Sequence, residues 1–201
     1  MAADTPLAEE LDRAIRKHLL LKPADTELTL LADFPATRVP LDEFRSEEAQ
    51  ALYKITFGNQ ALQGLSLRYE PLATLEVVEV FAVNADAERV VLSHWPTATV
   101  RGFYAEALLQ AQSTDKRSQD SQRRLYANLA GSELFLCTFN EGRLHFANTY
   151  PAPRLSNRLY FTLYLWNQLG LDHQKDTCVL QGDRGEMRQA LSKYIRNIQC
   201  V

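Results

Sequence analysis

The run Arg124-Leu-Tyr-Ala-Asn-Leu-Ala-Gly-Ser-Glu-Leu-Phe-Leu-Cys-Thr-Phe-Asn-Glu-Gly-Arg-Leu-His-Phe-Ala-Asn-Thr-Tyr150 decides the fold. Its first strand-like stretch, Leu125 to Ala130, meets a second, Glu133 to Phe139, across Gly131-Ser132, and a glycine-first pair suits a two-residue hairpin turn. The second meets a third, Leu144 to Tyr150, through Asn140-Glu-Gly-Arg143, whose Asn and Gly tolerate the positive φ of a hairpin. An antiparallel meander follows. Leu134 and Leu136 hold one parity of the middle strand, and Phe135, Cys137 and Phe139 the other. Both faces of that strand therefore need cover, which helices must supply.

The cover begins after Pro151 and Pro153, since proline cannot continue a ladder and biases the residue before it away from helix. Leu155, Leu159, Leu163 and Trp166, with Tyr160 and Tyr164 alongside, form a wide apolar stripe at helical spacing, and Gly170-Leu171 reads as a Schellman stop. Trp166 and the tyrosines around it are expected in the core, whereas an exposed aromatic patch there would mark an interface. Thr177 to Leu180 reads as a short buried strand entering Gln181-Gly-Asp-Arg-Gly185. Met187, Leu191, Tyr194, Ile195 and Ile198 make a second stripe, with residues 197–201 returning to strand.

This β-β-β-α-β-α order, with Phe139-Asn-Glu-Gly-Arg-Leu-His-Phe-Ala-Asn-Thr-Tyr150 and Leu159-Tyr-Phe-Thr-Leu-Tyr-Leu-Trp-Asn-Gln-Leu-Gly-Leu171, resembles the DUF3822 family of bacterial proteins. The resemblance covers residues 124–199 and, more loosely, 27–112. It implies an α/β protein of actin-like, ATPase-type (ASKHA) fold, with two βββαβα-type halves built on mixed sheets. The division expected is an N-terminal half over 1–112, a polar linker or loop over 113–123, and a C-terminal half over 124–201. The first half departs from that pattern because it opens on a helix. It is therefore expected to be reduced or to lack an N-terminal segment, leaving a strand edge that a partner can fill.

Length and composition suit a soluble globule: 201 residues, 46% hydrophobic and 23% charged. The net charge of -3 gives no general attraction to nucleic acid or anionic membrane. No signal peptide opens the chain and no apolar run suits a membrane span, so the expected address is cytoplasmic. Cys137, Cys178 and Cys200 are scattered and read as buried thiols, and His18, His94, His145 and His173 lack metal-ligand spacing.

In the first half, Thr5-Pro6 opens a helix with Leu7, Leu11, Ile15 and Leu19 on one face. Glu27 to Ala32 reads as a strand, Ser46 to Phe57 as a short helix closed by Gly58, and residues 59–72 as loop. Leu75 to Val83 and Arg89 to Ser93 flank Asn84-Ala-Asp-Ala87 like the arms of a hairpin, and a helix follows around Phe103 to Ala111. Ser113 to Arg124 is polar almost throughout. Asp115 and Asp120 dilute its basic residues and no aromatic is interleaved, so it reads as a solvated loop rather than a nucleic-acid contact.

Two function classes follow. In the enzyme class, implied by the resemblance, ATP binds between the halves, with phosphate at the turn joining the first two strands of each half and adenosine near a later glycine-rich turn. The second half places Asn128, Gly131 and Ser132 at the first of these, and Gly182, Asp183 and Gly185 at the second. Only the second turn follows a strand and precedes a helix N-terminus, where an anion can sit. In the other class that cleft is vestigial and the chain is a scaffold or interaction module, binding a protein partner or its own copy.

The acid inventory favours the second class. Actin-like ATPases carry Asp-x-Gly at the first turn, where a carboxylate holds metal-bound water and glycine admits phosphate to backbone N–H groups. Here the segment reads Asn128-Leu-Ala-Gly131, neutral where charge is needed and methylated where close approach is wanted. No Walker-type, Gly-x-Ser-x-Gly, His-Glu-x-x-His or Cys-x-x-Cys motif stands elsewhere. The expectation is a non-catalytic chain without metal or required cofactor, with weak nucleotide binding at Gly182–Gly185 as the surviving alternative.

Overall fold

The computed structural model describes residues 7–17, 27–118, 122–182 and 185–201. The chain divides into two units, Met1–Glu106 and Ala107–Val201. In the first, α1 (Leu7–Lys17) and β1 (Thr29–Ala32) precede β2 (Ala36–Pro40), and a 3-10 turn at Ser46–Glu48 leads into α2 (Ala49–Phe57). Then come β3 (Leu65–Leu72), β4 (Val77–Asn84), α3 (Ala85–His94), β5 (Thr99–Gly102) and α4 (Phe103–Arg117), the division between units falling inside α4. β1 pairs with β5 in parallel, while β2, β4 and β3 form an antiparallel sheet in that order. The sides of β4 are both buried: Val78, Val80 and Ala82 pack with Ala49 and Tyr53 of α2, and Glu79, Phe81 and Val83 face the other way.

Three local expectations change here. Residues 65–72, read as loop, are the edge strand β3, where Pro71 is tolerated because an edge does not need every N–H. Asn84 does not turn a hairpin; its side chain accepts the Ala87 N–H at 2.9 Å and caps α3, so Arg89 to Ser93 is helical. Ser113 to Arg117, expected in a linker, are the last turns of α4. The helix over Ser46 to Phe57 does stop at Gly58, whose φ is 94° and whose N–H reaches the Lys54 carbonyl. Thr5-Pro6, His18 and Leu19 lie outside the described residues.

The second unit is the meander and its crossovers. β6 (Arg124–Ala130), β7 (Glu133–Asn140) and β8 (Arg143–Pro151) run antiparallel; α5 (Leu155–Gln168) crosses to β9 (Thr177–Gln181), and α6 (Glu186–Leu191) to β10 (Asn197–Cys200). The sheet order is β10-β9-β6-β7-β8, with β6, β9 and β10 mutually parallel. Gly131 turns the first hairpin at φ 53°; Glu141 and Gly142, rather than Asn140, take the positive φ of the second. The Schellman stop forms as expected, Leu171 N–H reaching the Trp166 carbonyl and Gly170 N–H that of Asn167.

The core beneath α5 and α6 gathers Leu125, Leu134, Leu136, Trp166, Leu180 and Leu191. The α5 stripe is turned relative to the expectation. Thr162, Leu165 and Trp166 are its buried centre, and Tyr160 and Tyr164 lie in solvent, because the sheet covers only part of so wide an apolar face. Cys137 and Cys178 are buried, but Cys200 on β10 is exposed.

Candidate functional site

The turns expected to hold phosphate are neighbours in space. Asn128 pairs with Gln181 in the β6–β9 register, so Gly182 sits against Leu129, and a Cβ at 182 would lie 3.0 Å from the Leu129 carbonyl oxygen. Its φ of 78° also calls for glycine. Gly131 and Gly182, with Arg158 and Glu186, border a polar pocket of about 410 Å³. Gly185, at φ 99°, stands before α6 and its carbonyl accepts the Gln189 N–H. Asp183 lies outside the described residues. Ser132 has a fold role, its carbonyl accepting the Ala152 N–H at 2.8 Å.

Arg158 was not singled out in the sequence, yet it organises this pocket. Its Nε donates to the Ala152 carbonyl at 2.9 Å and its Nη2 to the Gly131 carbonyl. The turn thus presents a carbonyl to a guanidinium. A site for metal-bound phosphate needs carboxylate toward the ion and N–H toward the anion. Among the described residues of the pocket lining, Glu186 supplies the carboxylate. Among the described residues no cluster of three or more His, Cys, Asp or Glu is placed to hold a metal.

Asn128 belongs to a different pocket. Strand alternation sends it to the α4 side of the sheet with Tyr126, where it lines a half-apolar cavity of about 260 Å³ with Gln110, Phe135, Cys137 and Gln181. Its amide donates to Gln181 Oε1 at 2.9 Å, and the Gln181 amide donates to Gln110 Oε1, making a row of three side-chain amides. Beside the row the Tyr126 hydroxyl donates to Asp115 at 3.0 Å, and burial together with that carboxylate pushes the phenol pKa up. The candidates therefore separate: Gly131 and Gly182 share one pocket and Asn128 lines another. The signal available in sequence was parity, since Asn128 follows Tyr126 by two.

A third feature lies on α5. Tyr150 at the end of β8 stacks on Phe161 with ring centroids 4.6 Å apart; Phe161 meets Tyr160 at 5.2 Å, and Tyr160 stacks on Tyr164 at 6.0 Å. This row of four rings runs from a half-buried strand residue to two exposed tyrosines.

An antiparallel meander followed by helical crossovers to two parallel strands defines the class, and comparison with solved structures gives it its name. A Bacteroides thetaiotaomicron protein with actin-like ATPase fold and unknown function superposes with a TM-score of 0.86 at 19% identity, covering 100% of this chain and 78% of that one. A chain of the PilM-PilN type IV pilus biogenesis complex matches with a TM-score of 0.55 at 12% identity, covering 100% of this chain and 77% of its own. The fold is actin-like. The chain belongs to the family described as "Protein of unknown function (DUF3822)", which matches residues 2–198. No curated protein matches the sequence. No helix among the described residues is long and apolar enough to cross a membrane.

Proposed function

We propose that the chain is a cytoplasmic, non-catalytic protein-binding module of actin-like fold that uses the aromatic face of α5. The observation carrying this reading is the ring row Tyr150–Phe161–Tyr160–Tyr164, in which Tyr160 is 61% exposed and Tyr164 49%. Two tyrosines stacked in water forgo burial that neighbouring core positions have, and tyrosine is enriched among residues that dominate binding energy. The row meets the sheet at β8, whose only strand partner among the described residues is β7, so a helix face and a sheet edge adjoin. The PilM-PilN complex is a precedent for this fold in a protein–protein assembly.

Light scattering on wild type and on a Tyr160→Ser/Tyr164→Ser double variant tests the reading with a second copy as partner. Concentration-dependent association that the substitutions remove is the expected result. A strictly monomeric wild type at high concentration overturns self-association.

ATP binding is the second reading, favoured by the contact of Gly182 with Leu129 and the pocket bordered by both glycines. Phosphate release from Mg-ATP separates the two. Turnover at buffer level supports the non-catalytic module, whereas turnover well above buffer that Glu186→Gln abolishes overturns it.

A further inference from the structure

We propose that the first unit carries a second docking surface, a groove between β2 and α2 that receives a basic amphipathic helix of another protein. This rests on the reading of the chain as an interaction module but on different residues. The groove has a volume of about 380 Å³; Val39 of β2 and Phe44 form its floor, and α2 walls it with Ala51, Leu52 and Ile55. Glu48, Ala51, Leu52 and Ile55 fall at i, i+3, i+4 and i+7, the spacing of a helix-packing stripe. Leu52 packs against the core that Ala49 and Tyr53 bury, while Ala51 and Ile55 turn outward, Ile55 being 83% exposed. The small Ala51 at the middle of the stripe lets another backbone approach.

Charge selects the occupant. Glu43 and Glu48 line the groove with Arg45, and the neighbouring Asp42 and Glu47 are exposed too, against the half-buried Lys54. Arg45 donates to the carbonyls of Asp42 and Phe44, within its own loop. Glu47 and Glu48 complement the dipole at the start of α2, but that role accounts neither for Asp42 and Glu43 nor for Ile55. A second copy docking here would set one acidic rim against another, and an anionic membrane would be repelled. A helix with leucine-type anchors and lysine or arginine flanks satisfies both the apolar floor and the rim.

The test uses the full chain and two fluorescent helical peptides of about 14 residues, long enough at ~1.5 Å per residue to span α2. One has leucines at i, i+3, i+4 and i+7 with lysines between; its twin has glutamates in place of the lysines. Anisotropy should show the lysine peptide binding at least about tenfold more tightly than its twin, with affinity falling as salt rises. Ile55→Asp should abolish binding, and Glu43→Lys/Glu48→Lys should reverse the preference. These positions are exposed, so an unchanged unfolding midpoint verifies the fold of each variant. Equal binding of the twins, binding indifferent to Ile55→Asp, or no binding by either peptide overturns the proposal, as does a dimer mass that Ile55→Asp halves. The Tyr160→Ser/Tyr164→Ser variant should bind the lysine peptide normally, so failure of the α5 surface and failure of this groove are distinguishable.

Discussion

Replacing Gly102 by alanine probes the buried charge pair of the first unit. An added Cβ would lie 2.3 Å from Glu79 Oε2 and 3.3 Å from Phe81 Cδ1. The carboxylate has little freedom to move: Glu79 is fully buried, stands opposite Arg38 in the β2–β4 register, and holds the Arg38 Nη2 at 2.6 Å. Alanine has one opposing benefit, because it narrows the unfolded ensemble by about 0.4–1 kcal/mol. Overpacking costs ~1–3 kcal/mol, and disturbing a charge-assisted hydrogen bond costs ~1.5–3 kcal/mol. The clash wins, with a net loss of about 3 kcal/mol once the terms overlap. For a unit the size of Met1–Glu106 that lowers its melting temperature by roughly 12–24 °C. Urea unfolding followed by tryptophan fluorescence reads it, since Trp95 lies in the first unit and Trp166 in the second, and a Trp166→Phe background isolates the first. Glu79→Ala removes the closest atoms that the new methyl meets and leaves the 3.3 Å approach to Phe81, so Gly102→Ala should cost much less in that background. A loss below ~1 kcal/mol, or an equal loss in both backgrounds, refutes the packing argument.

Burial raises the Glu79 pKa above its ordinary 4.5, with Arg38 opposing, so the folded chain holds the proton more tightly than the unfolded one. The resulting stability is complete below that ordinary value and is lost as pH rises through the raised one; the stability difference between wild type and Glu79→Gln should fall with pH over this window, and a rise contradicts it. Burial pushes the Cys178 thiol up to about 12, so a thiol reagent at mildly alkaline pH should label exposed Cys200 in the native protein and Cys178 only after denaturant is added; native labelling of Cys178 counts against its burial. Gly182→Ala places a side chain at φ 78° and 3.0 Å from a carbonyl oxygen, and should lower the stability of the second unit by about 2 kcal/mol; an unchanged urea midpoint refutes the close approach.

The second unit was legible because its local signals agree. Gly131-Ser132, the prolines after Tyr150 and Gly170 each fix a boundary by backbone chemistry that tertiary contacts then respect. The first unit was less so, since its deciding contacts are long-range. Asn84 suits a turn or an N-cap equally well, and only the helix that follows chooses between them. The strand Leu65 to Leu72 contains Pro71, which is acceptable only because β3 is an edge, a property of the sheet rather than of the segment. The stripe of α5 showed how much apolar surface the helix has but not which part the sheet covers, and so the tyrosines were placed inside.

The site was legible as glycines but not as side chains, and the distinction bears on function. A glycine is required where backbone passes close to backbone, whether or not phosphate is nearby, so Gly131 and Gly182 record the turn and its approach to Leu129 without recording a ligand. Asn128 carries the stronger inference. In the row Asn128–Gln181–Gln110 each amide donates to the next carbonyl oxygen, an order that a neutral side chain with both donor and acceptor can start. An aspartate at this position accepts only, so the row would run in reverse, Gln110 donating to Gln181 and Gln181 to the carboxylate. The Asn128 amide faces the cavity beneath α4 rather than the pocket bordered by Gly131 and Gly182. The chain thus keeps the actin-like sheet and its turns, with Asn128 half-buried at the α4 side and Tyr160 and Tyr164 exposed on α5.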